Sequence, residues 1–194
     1  MSHLSRDSLL TLEAYEEARD ELRAQAIQQK RVRKVFVGSN VMIQFEDEVT
    51  IRYQIQEMLR AEKTFDREGI QDELDAYNPL IPDGNNWKAT QMIEYIDVEE
   101  RDRKLIELKG IERRTYVQVA AHPRSYAIAD EDMPRENEEK TSAIHFLRFE
   151  LDQNMAASVK AGEPIAVGID HPAYDFRVDE IAPETQGSLI KDLK

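Results

Sequence analysis

The chain has 194 residues, a length at which one domain buries roughly 70% of the surface its unfolded form exposes, so a core forms without staples. Its 39 acidic and 26 basic residues leave a formal net charge of −13. That field repels phosphate backbones and disfavours nucleic acid as a partner. There is no cysteine, which excludes disulfides, cysteine-ligated metal or iron–sulfur clusters, and thiol nucleophiles.

In chain order, residues 5–31 read as a helix, with Leu12, Tyr15, Leu22 and Ala26 on one side and Ser5 or Thr11 as its N-cap. It ends in a basic run, Lys30, Arg31, Arg33 and Lys34. Residues 34–46 alternate as a hairpin around Gly38-Ser39-Asn40. A second helix over about 48–63 turns Ile51, Ile55, Met58 and Leu59 inward and Arg52, Gln56 and Arg60 outward. A third, from about 67 to 77, points Ile70, Leu74 and Tyr77 inward. Residues 78–86 then form a loop stiffened by Pro79 and Pro82. Trp87–Ile96 reads as a strand. Asp97 and Glu100 make a capping box for a helix over 98–109, stopped by Gly110.

Strands follow at 115–121 and 125–129, then an acidic loop at 130–140. A strand at 142–151 leads to a short helix between Asp152 and Gly162. A hairpin turns at His171-Pro172, and a last helix starts at Pro183. No βαβ rhythm appears. The expected class is therefore α+β, a single domain over 1–194 with a mainly antiparallel sheet built from hairpins and the N-terminal helices packed against it. No segment reaches the roughly 18 apolar residues of a membrane span, and the first residues lack a signal-like pattern. The expected location is the cytoplasm.

Candidate chemistry is sparse. No Gly-rich phosphate loop, GxSxG elbow, His-Glu-x-x-His or EF-hand spacing is present; Asp130, Asp132 and Glu136 of the acidic loop read as solvated. His145 shares the apolar face of its strand with Leu147 and Phe149. It is either a satisfied core residue or a metal ligand or proton-transfer group paired with a carboxylate. Glu57 and Glu73 flank apolar helix faces. With Tyr53, Tyr77, Asn78 and Trp87 they are the pocket residues that an enzyme site around His145 would use. Arg31, Arg33 and Lys34 either complement a helix C-terminus or bind an anion. The 78–86 loop, with Leu80 and Ile81, is a connector or a place to hold a partner.

Five longer strings carry a resemblance. They are Ile51–Arg60 (IRYQIQEMLR), Glu73–Gly84 (ELDAYNPLIPDG), Trp87–Thr90 (WKAT), Ala129–Asp132 (ADED) and Thr141–Glu150 (TSAIHFLRFE). Together they resemble a bacterial family of uncharacterised proteins, the domain-of-unknown-function family number 3501, over nearly the whole chain. The resemblance implies proximity to rubrerythrin-like and iron–sulfur redox proteins. It therefore implies a non-catalytic accessory or binding role in redox or peroxide stress. It implies no catalytic residues. A metal-dependent or small-molecule enzyme built around His145 and the helix carboxylates is the alternative expectation.

Overall fold

The computed structural model describes residues 3–132, 135, 137 and 139–194. Two antiparallel sheets form its centre. The first has the order β1 (Lys34–Val37), β2 (Val41–Phe45), β3 (Asn86–Ile93), β7 (Ile144–Glu150), β6 (Ile128–Ala129). The second runs β5 (Ser125–Tyr126), β4 (Thr115–Val119), β8 (Ile165–His171), β9 (Tyr174–Val178). The class is α+β, as the mixture of hairpins and helices predicts, with the strands divided between two sheets.

Alternation explains how the sheets meet. Val35, Val37, Ile43, Phe45, Trp87, Leu147 and Phe149 of the first sheet join Val117, Val119, Ile165, Val167 and Ile169 of the second in one buried cluster. At period two, each strand gives this core every second side chain. Trp87 is fully buried edge-on to Phe45, with ring centroids 6.1 Å apart, and its indole N–H donates to the Leu189 carbonyl at 3.1 Å. The β1–β2 turn needs glycine at position 38. There φ is +70°, and an added Cβ would collide with the Tyr174 hydroxyl and the Phe176 ring.

Residues 125–129 differ from the single strand expected. Ser125 and Tyr126 pair with β4 in the second sheet, whereas Ile128 and Ala129 pair with β7 in the first. Ala127 sits between them, buried, its N–H donating to Thr115 O at 2.8 Å. Alternation determines which way each side chain points but not which strand lies alongside, so the change of sheet is invisible in the pattern.

A helical unit with its own core lies beside this pair of sheets. It comprises α1 (Leu12–Val32), α2 (Glu48–Glu62) and α3 (Arg67–Tyr77). Ile51, Ile55 and Leu59 of α2, Leu74 of α3, Leu4 and Ile81 form a second buried cluster. Thr11 is the N-cap of α1, accepting from Ala14 N. The expected helix over 5–31 therefore starts later. Residues before it form a 3-10 turn at Arg6–Ser8 and a strap whose Leu10 N–H donates to Gln56 Oε1 at 2.7 Å. This strap buries Gln56, which the periodicity placed on an outward face.

The remaining helices are α4 (Val98–Glu107), α5 (Gln153–Lys160) and α6 (Pro183–Leu189). Asp97 caps α4 by accepting from Glu100 N at 2.8 Å, and Gly110 follows with φ +83°. A 3-10 turn, Ile190–Asp192, carries Asp192 back to Arg33. Arg33 is 1% exposed. Its guanidinium donates to Phe45 O at 3.1 Å, Glu46 O at 3.0 Å, Ser188 Oγ at 3.0 Å and both oxygens of Asp192. Among the described residues, no helix is long and apolar enough to cross a membrane.

Candidate functional site

Where the helical unit meets the first sheet, a cleft of about 510 Å³ stays open. One wall is helical: Met58 of α2, Glu73, Ala76 and Tyr77 of α3, then Pro79 and Leu80. The other is sheet: Lys88 of β3, Phe146 and Arg148 of β7, Ile128 of β6. The segment after β6 adds Glu131, Asp132 and Arg135. Such a volume suits a small organic ligand. Local structure aims these groups. Glu73 and Tyr77 are one helical turn apart on α3. In β3, Trp87 and Ala89 face the core, so Lys88 between them faces the cleft.

The cations of the cleft are held very differently. Arg148 makes a bidentate pair with Glu131, both contacts at 2.7 Å, and also meets Glu150. Arg135 lies over the Phe146 ring at 4.4 Å and pairs with Asp132 and with Asp130 at 3.3 Å. Lys88 stands directly across the strand pair from Arg148. Among the described residues it has no ion pair and no hydrogen bond, and it interacts with Glu131, Asp83 and Glu150 only at longer range. Its surroundings favour loss of the proton, first through burial and then through Arg148. Across the cleft, burial chiefly, with Glu62 and Asp72, raises the pKa of the Glu73 carboxyl. Burial and then Glu73 raise that of the Tyr77 phenol.

His145 lies on the other side of β7, fully buried. Its Nδ1 is 2.6 Å from Asp130 Oδ2, and its Nε2 is 2.9 Å from Thr141 Oγ1 and 3.0 Å from Ser142 O. Asp130 also accepts from Phe146 N at 3.0 Å. The ring therefore ties together both ends of the acidic segment 130–141, which adds Glu131, Asp132 and Arg135 to the cleft. Glu136, part of that acidic loop, lies outside the described residues. Behind the ring, Glu112 Oε2 is 3.9 Å from Nε2, and that oxygen and Gln91 Nε2 are buried with no hydrogen-bond partner among the described residues. Among the described residues, no three His, Cys, Asp or Glu side chains could together hold a metal ion.

The other sequence candidates are scattered. Glu57 accepts from Tyr15 at 2.7 Å and from Arg19 at 2.8 and 2.9 Å; the Arg19 hydrogen bond above all lowers its pKa to about 2. Tyr53 lines a separate small pocket with Tyr15 and Leu22. Asn78 binds the main chain of Leu4 in both directions, at 2.8 and 2.9 Å. Trp87 belongs to the core, and the donors of Arg33 are engaged within the fold. Arg31 and Lys34 are exposed, Lys34 near the Phe36 ring. Of the residues singled out in sequence, the cleft gathers Glu73, Tyr77 and Leu80, with Asn78 beside them. His145 is linked to it only through Asp130, which pairs with Arg135. Lys88 was absent from that set, although it lies within the string WKAT. Its signal is a lysine facing an arginine across two strands, which requires the register.

The family model described as "Protein of unknown function (DUF3501)" matches residues 3–193. A crystal structure described as a novel protein of unknown function from Burkholderia pseudomallei K96243 is 52% identical, with a TM-score of 0.95 and 100% of each chain covered. No curated protein matches the chain.

Proposed function

Since the chain belongs to the DUF3501 family, whose description assigns no activity, we propose from its own residues that it is a binding protein. In this reading a small, largely apolar organic molecule enters the cleft between α3 and the first sheet and presents an oxygen group to Lys88. The observation that carries the reading is Lys88 itself. A half-buried amine opposite an arginine, with no ion pair or hydrogen bond among the described residues, is left short of a close polar partner. A ligand oxygen supplies the missing partner. Met58, Ala76, Leu80 and Phe146 supply apolar contact for the rest of the molecule.

The network around His145 fits a positioning role. It fixes Asp130, and through it the segment bearing Glu131 and Arg135. An accessory role beside rubrerythrin-like or iron–sulfur proteins is a finer form of the same proposal. A chain without cysteine would act there by binding rather than by thiol chemistry.

The test is thermal unfolding with hexanoate, hexanal and hexanol, on the wild type and on Lys88→Met. A ligand at 100 times its dissociation constant stabilises by about 2.7 kcal/mol. The expected result is stabilisation of the wild type by the acid or the aldehyde, with most of it lost in Lys88→Met. Equal responses of both proteins, or none in either, would overturn the reading.

A further inference from the structure

We infer that the cleft takes a carbonyl compound, an aldehyde or ketone, and that the Lys88 amine joins it covalently as an imine. The inference rests on the cleft reading above and narrows it from any oxygen group to a carbonyl. Three observations separate Lys88 from a surface lysine. It lies in a cleft whose exposed surface is mostly apolar, although charged groups border it. It is in register with Arg148, whose charge is clasped by Glu131 and Glu150. It has neither an ion pair nor a hydrogen bond of its own among the described residues. Desolvation beside a second cation is the setting that turns a lysine into a nucleophile at neutral pH. The lowered proton affinity of Lys88, caused first by burial and then by Arg148, agrees with this.

The step balances without an oxidant or reductant. The lone pair of the neutral amine attacks the carbonyl carbon, and a C–N bond forms as the carbonyl π bond breaks. The oxygen takes up a proton and the nitrogen gives one up, leaving a carbinolamine. Protonation of its hydroxyl lets the C–O bond break, water leaves, and the nitrogen loses its last proton to give C=N. Glu73, held in the same cleft and made readier to carry a proton by burial, is the group to exchange these protons. The charges around the amine are Arg148 on β7, Glu131 after β6, Asp83 and Glu150; Glu73 and Asp75 on the facing helix, with Asp132 and Arg135, line the same cleft.

The experiment treats the full chain with hexanal and sodium cyanoborohydride, which reduces an imine to a stable amine, and locates the adduct by peptide mass spectrometry. Lys88 is expected to be labelled about tenfold faster than the average of the other lysines. Its rate should rise at lower pH than theirs. Lys88→Arg, which keeps the charge and cannot form the imine, is expected to lose the fast label while the other lysines react unchanged. Uniform labelling of all lysines would overturn the inference. If hexanoate still stabilises the wild type and Lys88→Arg, the binding reading survives that failure. If neither ligand stabilises and no label forms, both fail.

Discussion

Two cations, Arg33 and Lys88, meet opposite fates in this molecule. Arg33 is almost fully buried, and its guanidinium is matched by main-chain carbonyls, Ser188 and the carboxylate of Asp192. Lys88 is less buried, yet among the described residues its amine has no ion pair and no hydrogen bond. Depth of burial therefore does not decide whether a charge finds its partners within the fold. What separates the two cations is whether the fold itself supplies the partners. Arg33 pins the C-terminal 3-10 turn to the end of β2. In the proposed reading, the partner of Lys88 comes from a bound ligand.

The largest effect that would test this contrast is on stability. Arg33→Met strands the Asp192 carboxylate and several carbonyls in the interior, and should cost about 3–5 kcal/mol in urea unfolding. A loss below about 1 kcal/mol would place Arg33 among ordinary surface charges and dissolve the comparison.

The pH dependence should be next in size. Burial pushes the Asp192 carboxyl up to about 6, against the pull of Arg33. The folded protein thus holds this proton more tightly than the unfolded chain, where the usual value is 3.8. The resulting stabilisation is complete below that value and is lost as pH rises through about 6, a swing on the order of 2–3 kcal/mol. Asp192→Asn removes the titrating group. Its stability relative to wild type should therefore rise between pH 4 and 6, whatever the constant cost of the altered pair. Parallel stability curves would show that Asp192 keeps its ordinary value.

The smallest effect is expected at Lys88. Lys88→Met removes a charge that faces Arg148 and has no ion pair among the described residues, so stability should change by no more than about 0.5 kcal/mol, with an increase as the expected sign. A loss of 2 kcal/mol or more, on the scale of stranding a buried polar partner, would mean that the amine is already satisfied within the fold.

The same contrast shows how far the sequence could be read. Thr11 and Asp97 act within three residues of their partners, so the start of α4 was legible as a cap, and that of α1 as one of two, Ser5 or Thr11, although the expected helix began too early. The period of two in β7 placed His145 on the core face, where it lies. Interactions between distant residues were not legible. Arg33 reads as part of a basic run because its carboxylate is 159 residues away. Gln56 reads as solvent-facing because the strap that covers it has no periodicity. In the cleft, Glu73 and Tyr77 stood out through helical spacing and the loop beside them. Lys88 acquires its meaning only from Arg148 across the sheet, a neighbour set by strand pairing.

The crossing at Ala127 bears on how this chain tolerates change in length. Tyr126 is exposed in the second sheet, Ala127 faces the interior, and Ile128 lines the cleft, so three consecutive residues serve three environments. An insertion or deletion of one residue here would exchange these assignments, sending a large aromatic or a solvent-facing side chain into the space that Ala127 fills. Natural length variation should therefore avoid residues 125–129, and point substitutions there should be accepted far more readily than any shift of one residue.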